Sequence, residues 1–211
     1  ETMESDFTYL ITEVSRFIKG EVNQELFDQV FGKDVVTDEK AFREKVAEGI
    51  KAQFDVDSDY KFLLDLRAYA ENKVGDLTFP DALLKRIMLN NNKDKDQKFV
   101  DDNYDASIKE LKWHLIKEQL VAANGIKVED ADVKAAARET ARMQFAQYGM
   151  TNVPDEYLDN YADSLLKDKK NVDNFVDRAI DRKLVVALKS VVKLNEKTVS
   201  MDDFNKMMQE K

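Results

Sequence analysis

Two prolines and six glycines are all that interrupt a chain of 211 residues, and this scarcity of helix breakers constrains the fold more than any other feature. Proline removes a backbone donor and glycine adds backbone entropy, so a chain with so few of either has few places to stop a helix. The residues that fill the intervals are largely Ala, Leu, Lys, Glu and Asp, most of which lose little side-chain freedom in a helix. The expected class is mainly α. A hydrophobic share of 43% with 9% aromatics supplies a core for one domain or two small ones.

The breakers and the apolar spacing divide the chain. Over residues 7–14, Phe7, Tyr9 and Ile11 alternate with Thr8, Leu10 and Thr12, a period of two that predicts a short β-strand at the N-terminus. A single strand needs a partner, expected upstream of residue 1 or in another extended segment. A short helix over 23–31 shows Leu26, Phe27 and Val30 on one side and stops at Gly32. Thr37 opens a long helix with Phe42, Val46, Ile50 and Phe54 one turn apart, continuing through Phe62, Leu63, Leu66 and Tyr69, with a polar weak point over 55–59. If continuous to Lys73 it spans about 50 Å at ~1.5 Å per residue, so the domain is expected to be elongated.

Gly75 ends that helix and Pro80 starts the next, at a first helical position where its missing N–H costs nothing. Leu83, Leu84, Ile87 and Met88 follow, then a polar tip over 90–96, then a helix through Ile108, Leu111, Leu115 and Leu120 to Asn124 and Gly125. Two helices joined by a polar tip make a first hairpin arm, about 76–126. A second arm, about 127–170, carries Val133, Ala137, Thr140, Phe145 and Tyr148, breaks at Gly149, and resumes after Pro154 with Tyr157, Leu158 and Tyr161. Closing helices fill 171–211. The first holds Val172, Phe175, Val176, Ala179, Ile180, Leu184, Ala187, Leu188 and Val191 at helical spacing. Ser200 with Asp203 caps a last helix bearing Phe204, Met207 and Met208. Residues 1–20 are expected to be a linker or strand remnant, and 21–211 the helical domain.

Several chemistries find no residues to carry them. A net charge of −9 disfavours nucleic-acid binding, which needs clustered Lys and Arg to displace counterions. No Cys is present, which removes thiolate catalysis and sulfur-ligated metals and suits either a reducing cytosol or a disulfide-free periplasmic protein. The single histidine, His114, has no second His or Cys for a metal site, and no glycine-rich phosphate loop occurs. Adjacent carboxylates such as Asp101 and Asp102 point to different sides of a helix and share no substrate. The expectation is therefore no catalytic residue, no cofactor and no metal. No stretch approaches the ~20 apolar residues of a membrane span, and the first residues lack a signal-peptide layout. A soluble cytoplasmic protein is expected. Glu1 is not an initiator Met, so the chain is expected to be part of a longer protein.

An apolar surplus remains: Met88, Met143, Met150, Met207 and Met208, with Phe145, Tyr148, Tyr157 and Tyr161 near hairpin ends. Any one of these is more often core than not. As a set they exceed what a two-helix arm can bury, and exposed Met with Tyr is the composition of an adaptable binding surface.

The order of these elements resembles the helical C-terminal domain of bacterial trigger factors. The residues that carry the likeness are Glu21-Val22-Asn23-Gln24-Glu25-Leu26-Phe27-Asp28-Gln29-Val30-Phe31-Gly32 before the long helix, and Asp76-Leu77-Thr78-Phe79-Pro80-Asp81-Ala82-Leu83-Leu84 before the first arm. At the end, Leu184-Val185-Val186-Ala187-Leu188, then Lys193-Leu194-Asn195-Glu196-Lys197, then Ser200-Met201-Asp202-Asp203-Phe204-Asn205 are similar to the family's final helices. Val22 and Asn23 stand where relatives often carry Pro and Leu. The family's ribosome-docking loop and its prolyl isomerase domain have no counterpart in residues 1–211.

That resemblance implies an ATP-independent chaperone domain, not an enzyme, whose arms and body form a cradle for nascent or unfolded polypeptides. Ribosome contact would come only through a preceding N-terminal domain, with no direct nucleic-acid or membrane contact, and a homodimer that hides its own patches is allowed. The expected client-binding residues are Leu83, Ile87 and Met88 on the first arm, and Met143, Phe145, Tyr148, Met150, Tyr157 and Tyr161 on the second. The competing expectations are a helical module for one specific partner and a related periplasmic chaperone core.

Overall fold

The computed structural model describes residues 9–16, 18–150 and 152–209, and within them eight helices form all of the regular structure. The expected strand over 7–14 is not among them. Residues 9–16 have no regular structure, with Tyr9, Leu10, Ile11 and Val14 exposed, while Phe7 and Thr8 lie outside the described residues. Alternation supplies a pattern but not a ladder, and no described segment is extended beside this one to complete its hydrogen bonds.

The chain forms two compact units, Glu1–Ala47 and Glu48–Lys211. In the first, α1 (Gln24–Phe31) starts where the Asn23 side chain accepts the Leu26 N–H at 3.1 Å and ends at Gly32, whose φ of 96° suits a residue without Cβ. Phe27 is buried and stacks on Phe42 at 4.7 Å, and Phe31 meets Phe42 edge-on at 5.5 Å. The Gln24 carboxamide donates to the Val36 carbonyl at 2.8 Å, closing the loop over this aromatic cluster.

The unit boundary falls inside α2 (Glu39–Val74), which opens with Asp38 accepting the Ala41 N–H at 2.9 Å. The helix runs unbroken through the polar stretch over 55–59, with Gln53 donating to Asp57 and, just past the stretch, Lys61 pairing with Asp65, each one turn apart. In the second unit, the Arg67 guanidinium grips Glu110 with two hydrogen bonds of 3.1 and 2.7 Å and lies 5.7 Å from the Trp113 ring. Lys112 donates to the Gly75 carbonyl just past the end of α2 and to the Glu71 carbonyl, which also accepts the Gly75 N–H.

Pro80 stands at the N-cap of α3 (Asp81–Asn91), one position before the expected one. A turn leads to Asp96, which accepts the Phe99 N–H at 2.9 Å and starts α4 (Gln97–Ala123). The two helices pack as a hairpin around buried Val100 and Tyr104. The Tyr104 hydroxyl donates to Asp81 at 2.6 Å, and burial together with that carboxylate pushes the phenol up to about 12.

Three further helices, α5 (Asp130–Gln147), α6 (Asp155–Leu165) and α7 (Lys169–Val191), share one core. Ala137 and Ala141 on α5, Leu158 and Ala162 on α6, and Phe175 and Ala179 on α7 are all buried. Small side chains one turn apart let the axes approach, and Phe175 fills the gap with Val133, Ala136, Leu165 and Leu166 around it. On α7 the buried set is Phe175, Ala179, Leu184, Val185 and Leu188, whereas Val191, expected on the same stripe, is exposed. Lys117 of α4 reaches Asp181 and Asp177 of α7 at 3.1 and 3.5 Å; burial pushes the Asp181 carboxyl up against the opposing pull of Lys117. The last helix, α8 (Met201–Gln209), begins where Ser200 accepts the Asp203 N–H at 3.2 Å.

Candidate functional site

The α5–α6 hairpin is held rigid at its base and left open at its tip. At the base, Glu129 donates its N–H to the Asp132 carboxylate at 2.8 Å, fixing the first turn of α5. Lys183 of α7 lies 2.5 Å from Asp132 and donates to the Lys127 carbonyl at 2.8 Å, and it holds the Asp132 carboxyl below its ordinary range. Along the hairpin, Lys134 pairs with Asp163 at 3.1 Å, and Arg138 pairs with Asp155 while its Nε lies 3.6 Å from Asp159.

At the tip, α5 ends in a doubly bonded reversal. The Met150 N–H bonds the Phe145 carbonyl at 3.0 Å and the Gly149 N–H bonds the Ala146 carbonyl at 2.9 Å, with Gly149 at φ 77°. Glycine is needed there because a Cβ is strained in the left-handed region. This geometry leaves Tyr148, the residue before the glycine, 81% exposed.

From α6, Tyr161 returns to α5 and meets Phe145 edge-on, centroids 5.4 Å apart at 61°. Such pairs are favoured by the ring quadrupoles. The Tyr161 hydroxyl donates to Gln144 Oε1 at 2.8 Å. Phe145, Tyr148 and Tyr161, with Gln144 and Gln147, line an open depression of about 440 Å³. Its walls are aromatic and its side-chain polar groups, two carboxamides and two tyrosine hydroxyls, are uncharged, an arrangement that suits an apolar side chain with adjoining peptide groups.

The structure thus brings together three of the six residues expected on the second arm. Met143, Met150 and Tyr157 are exposed on the same hairpin but do not line the depression. On α3, Leu83 and Ile87 are exposed one turn apart, whereas Met88 is half-buried, with its sulfur 3.9 Å from the Ser107 hydroxyl of α4. Gln144 and Gln147 escaped the sequence reading, which looked for apolar surplus. Their spacing of three residues on the aromatic face of α5 was the available signal. His114 is exposed with Nε2 3.3 Å from Glu118, and no cluster suited to a metal ion occurs among the described residues. No described helix is long and apolar enough to cross a membrane.

Residues 58–208 match the family described as "Probable trigger factor, C-terminal domain". The chain is also similar to a trigger factor of Chloroherpeton thalassium, 27% identical over 188 residues that take in 80% of this chain and 43% of that protein. It therefore spans less than half the length of that curated relative. No solved structure matches the chain. With all of α3 to α7 inside the matched range, together with the hairpin that carries the aromatic depression, the chain belongs to the trigger factor C-terminal domain family.

Proposed function

We propose that this chain is an ATP-independent chaperone domain that binds nascent or unfolded polypeptides through separated apolar patches on its two hairpins, the walls of a helical cradle. The observation that carries the reading is the aromatic tip of the second hairpin, where Phe145, Tyr148 and Tyr161 surround a depression open to solvent. Family membership supports it, and so do Leu83 and Ile87, exposed together on α3. Tyr157, Met143 and Met150 extend the second patch, and half-buried Met88 borders the first.

The mechanism is weak contact repeated. Burying one large apolar side chain contributes about 1.5–3 kcal/mol before ordering costs, so a single contact releases quickly. A client held at one hairpin meets the other at an effective concentration of order millimolar, which raises avidity while each contact still exchanges. No step in this scheme consumes nucleotide. The cytoplasmic, ribosome-associated setting belongs to the same proposal, with ribosome contact made by a preceding domain.

Promiscuity separates this function from a module for one partner. A dye-labelled, permanently unfolded polypeptide should bind the protein without nucleotide and be displaced by a second unfolded polypeptide of unrelated sequence, but not by the native form of either. Binding that the unrelated chain cannot displace would identify a single-partner module instead.

A further inference from the structure

The depression contains a polar group whose orientation is set by the aromatic wall. Tyr161 packs against Phe145 and directs its hydroxyl into Gln144 Oε1 at 2.8 Å, so the oxygen side of the carboxamide is occupied and the nitrogen side faces away from Tyr161. Among the described residues no protein hydrogen bond takes the two Gln144 Nε2–H donors, and Nε2 is open to solvent in the unbound protein. An amide donor covered by an apolar side chain and left unpaired carries a desolvation cost that offsets most of what the contact gains. The occupant best suited to this depression therefore brings an acceptor as well as apolar surface. In an unfolded chain the acceptor beside every side chain is the backbone carbonyl.

We propose that Gln144 is a specificity-determining residue that donates from Nε2 to a backbone carbonyl of the bound polypeptide while Phe145, Tyr148 and Tyr161 hold the neighbouring apolar side chain. The inference rests on the chaperone reading of this hairpin and adds a reason for its selectivity. Carbonyls in native helices and sheets already accept hydrogen bonds, whereas those of an unfolded chain are bonded only to water. Apolar walls alone recognise any exposed apolar side chain. A carboxamide that must be satisfied favours chains whose backbone is free, whatever their sequence. Gln147, three residues on and exposed in the same lining, supplies a second carboxamide.

The test is a thermodynamic cycle read by NMR titration, since a single patch binds with Kd of order millimolar or weaker. The probes are a short acetylated peptide of serine and glycine with one central phenylalanine, and its analogue with an ester in place of the amide that follows the phenylalanine. The ester carbonyl is the poorer acceptor. Gln144→Met keeps length, helix propensity and apolar contact but removes the donor, together with the Oε1 acceptor of the Tyr161 hydroxyl, a loss that both peptides meet and that cancels in the coupling of the cycle. Relative to wild type with the amide peptide, each single change should weaken binding about 3- to 10-fold, the worth of one neutral hydrogen bond. Making both changes should weaken it no further than either alone. Equal or tighter amide-peptide binding by the helical Gln144→Met protein would overturn the role of Gln144 and leave the chaperone reading standing, as would losses that simply multiply. Failure of the wild type to bind either probe, or the unfolded polypeptides of the competition assay, would overturn both.

Discussion

Substituting Phe145, Tyr148 and Tyr161 with serine should weaken binding of unfolded polypeptides at least 10-fold and remove protection against aggregation, while far-UV helicity changes little. Tyr148 is 81% exposed and Phe145 and Tyr161 face each other at the open end of the hairpin, so the substituted positions lie outside the Ala137, Ala162 and Phe175 core. Each ring contributes about 1.5–3 kcal/mol when a client buries it fully, and 1.4 kcal/mol is a factor of ten, so even partial burial of three rings exceeds that threshold. The matching control is serine at Val186 and Val191, which are exposed on α7 and do not line the depression. Protection that survives the triple substitution would move client binding elsewhere on the domain. Loss of helicity would show instead that the edge-to-face pair holds the hairpin together.

Leu184→Ala should destabilise the second unit by about 2.7–5 kcal/mol, the range for truncating a fully buried leucine that leaves a cavity. Leu184 is 0% exposed and sits on α7 beside buried Val185 and Leu188. Whole domains are stable by only about 5–15 kcal/mol, so the loss is a large part of the total. Trp113, the only tryptophan of the chain and itself buried on α4 of the same unit, reports the transition by fluorescence. The denaturant midpoint should fall with little change in slope. Val186→Ala, two residues away and 64% exposed, should change stability by less than about 0.5 kcal/mol. Equal effects of the two substitutions would contradict the assignment of the buried face of α7.

The helices were legible because their punctuation is chemical. Gly32, Gly125 and Gly149 follow helix ends at positive φ, and Pro80 and Pro154 immediately precede helix starts. Between such marks, spacing placed the elements well but not every face within them. Val191 fits the stripe of α7 yet is exposed near the end of the helix, while Val185, left out of the stripe, is buried between Leu184 and the next turn. The polar stretch over 55–59 reads as a weak point because propensity is local, whereas the hydrogen bond that ties Gln53 to Asp57 one turn on forms only once the helix exists. The N-terminal alternation failed for the opposite reason: a period of two is necessary for a half-buried strand but supplies no partner for it.

The site was legible in its aromatic half. A two-helix hairpin has little interior, so some of the Met, Phe and Tyr residues near hairpin ends were expected at the surface without the spacing saying which, and the structure gathers Phe145, Tyr148 and Tyr161 around one depression. Gln144 and Gln147 were not legible, because glutamine on a helix is by default a solvated residue and its part depends on a tyrosine 17 positions away. Met88 shows the same limit, since its burial against Ser107 depends on how α4 packs on α3.

The most direct test of the central claim is aggregation of two unrelated denatured proteins, followed by light scattering without nucleotide, in the presence of a stoichiometric amount of this chain. A chaperone domain with dispersed apolar patches suppresses scattering of both, and adding ATP changes nothing. Unaltered aggregation of both proteins, under conditions where the chain remains helical and folded, would contradict independent chaperone activity.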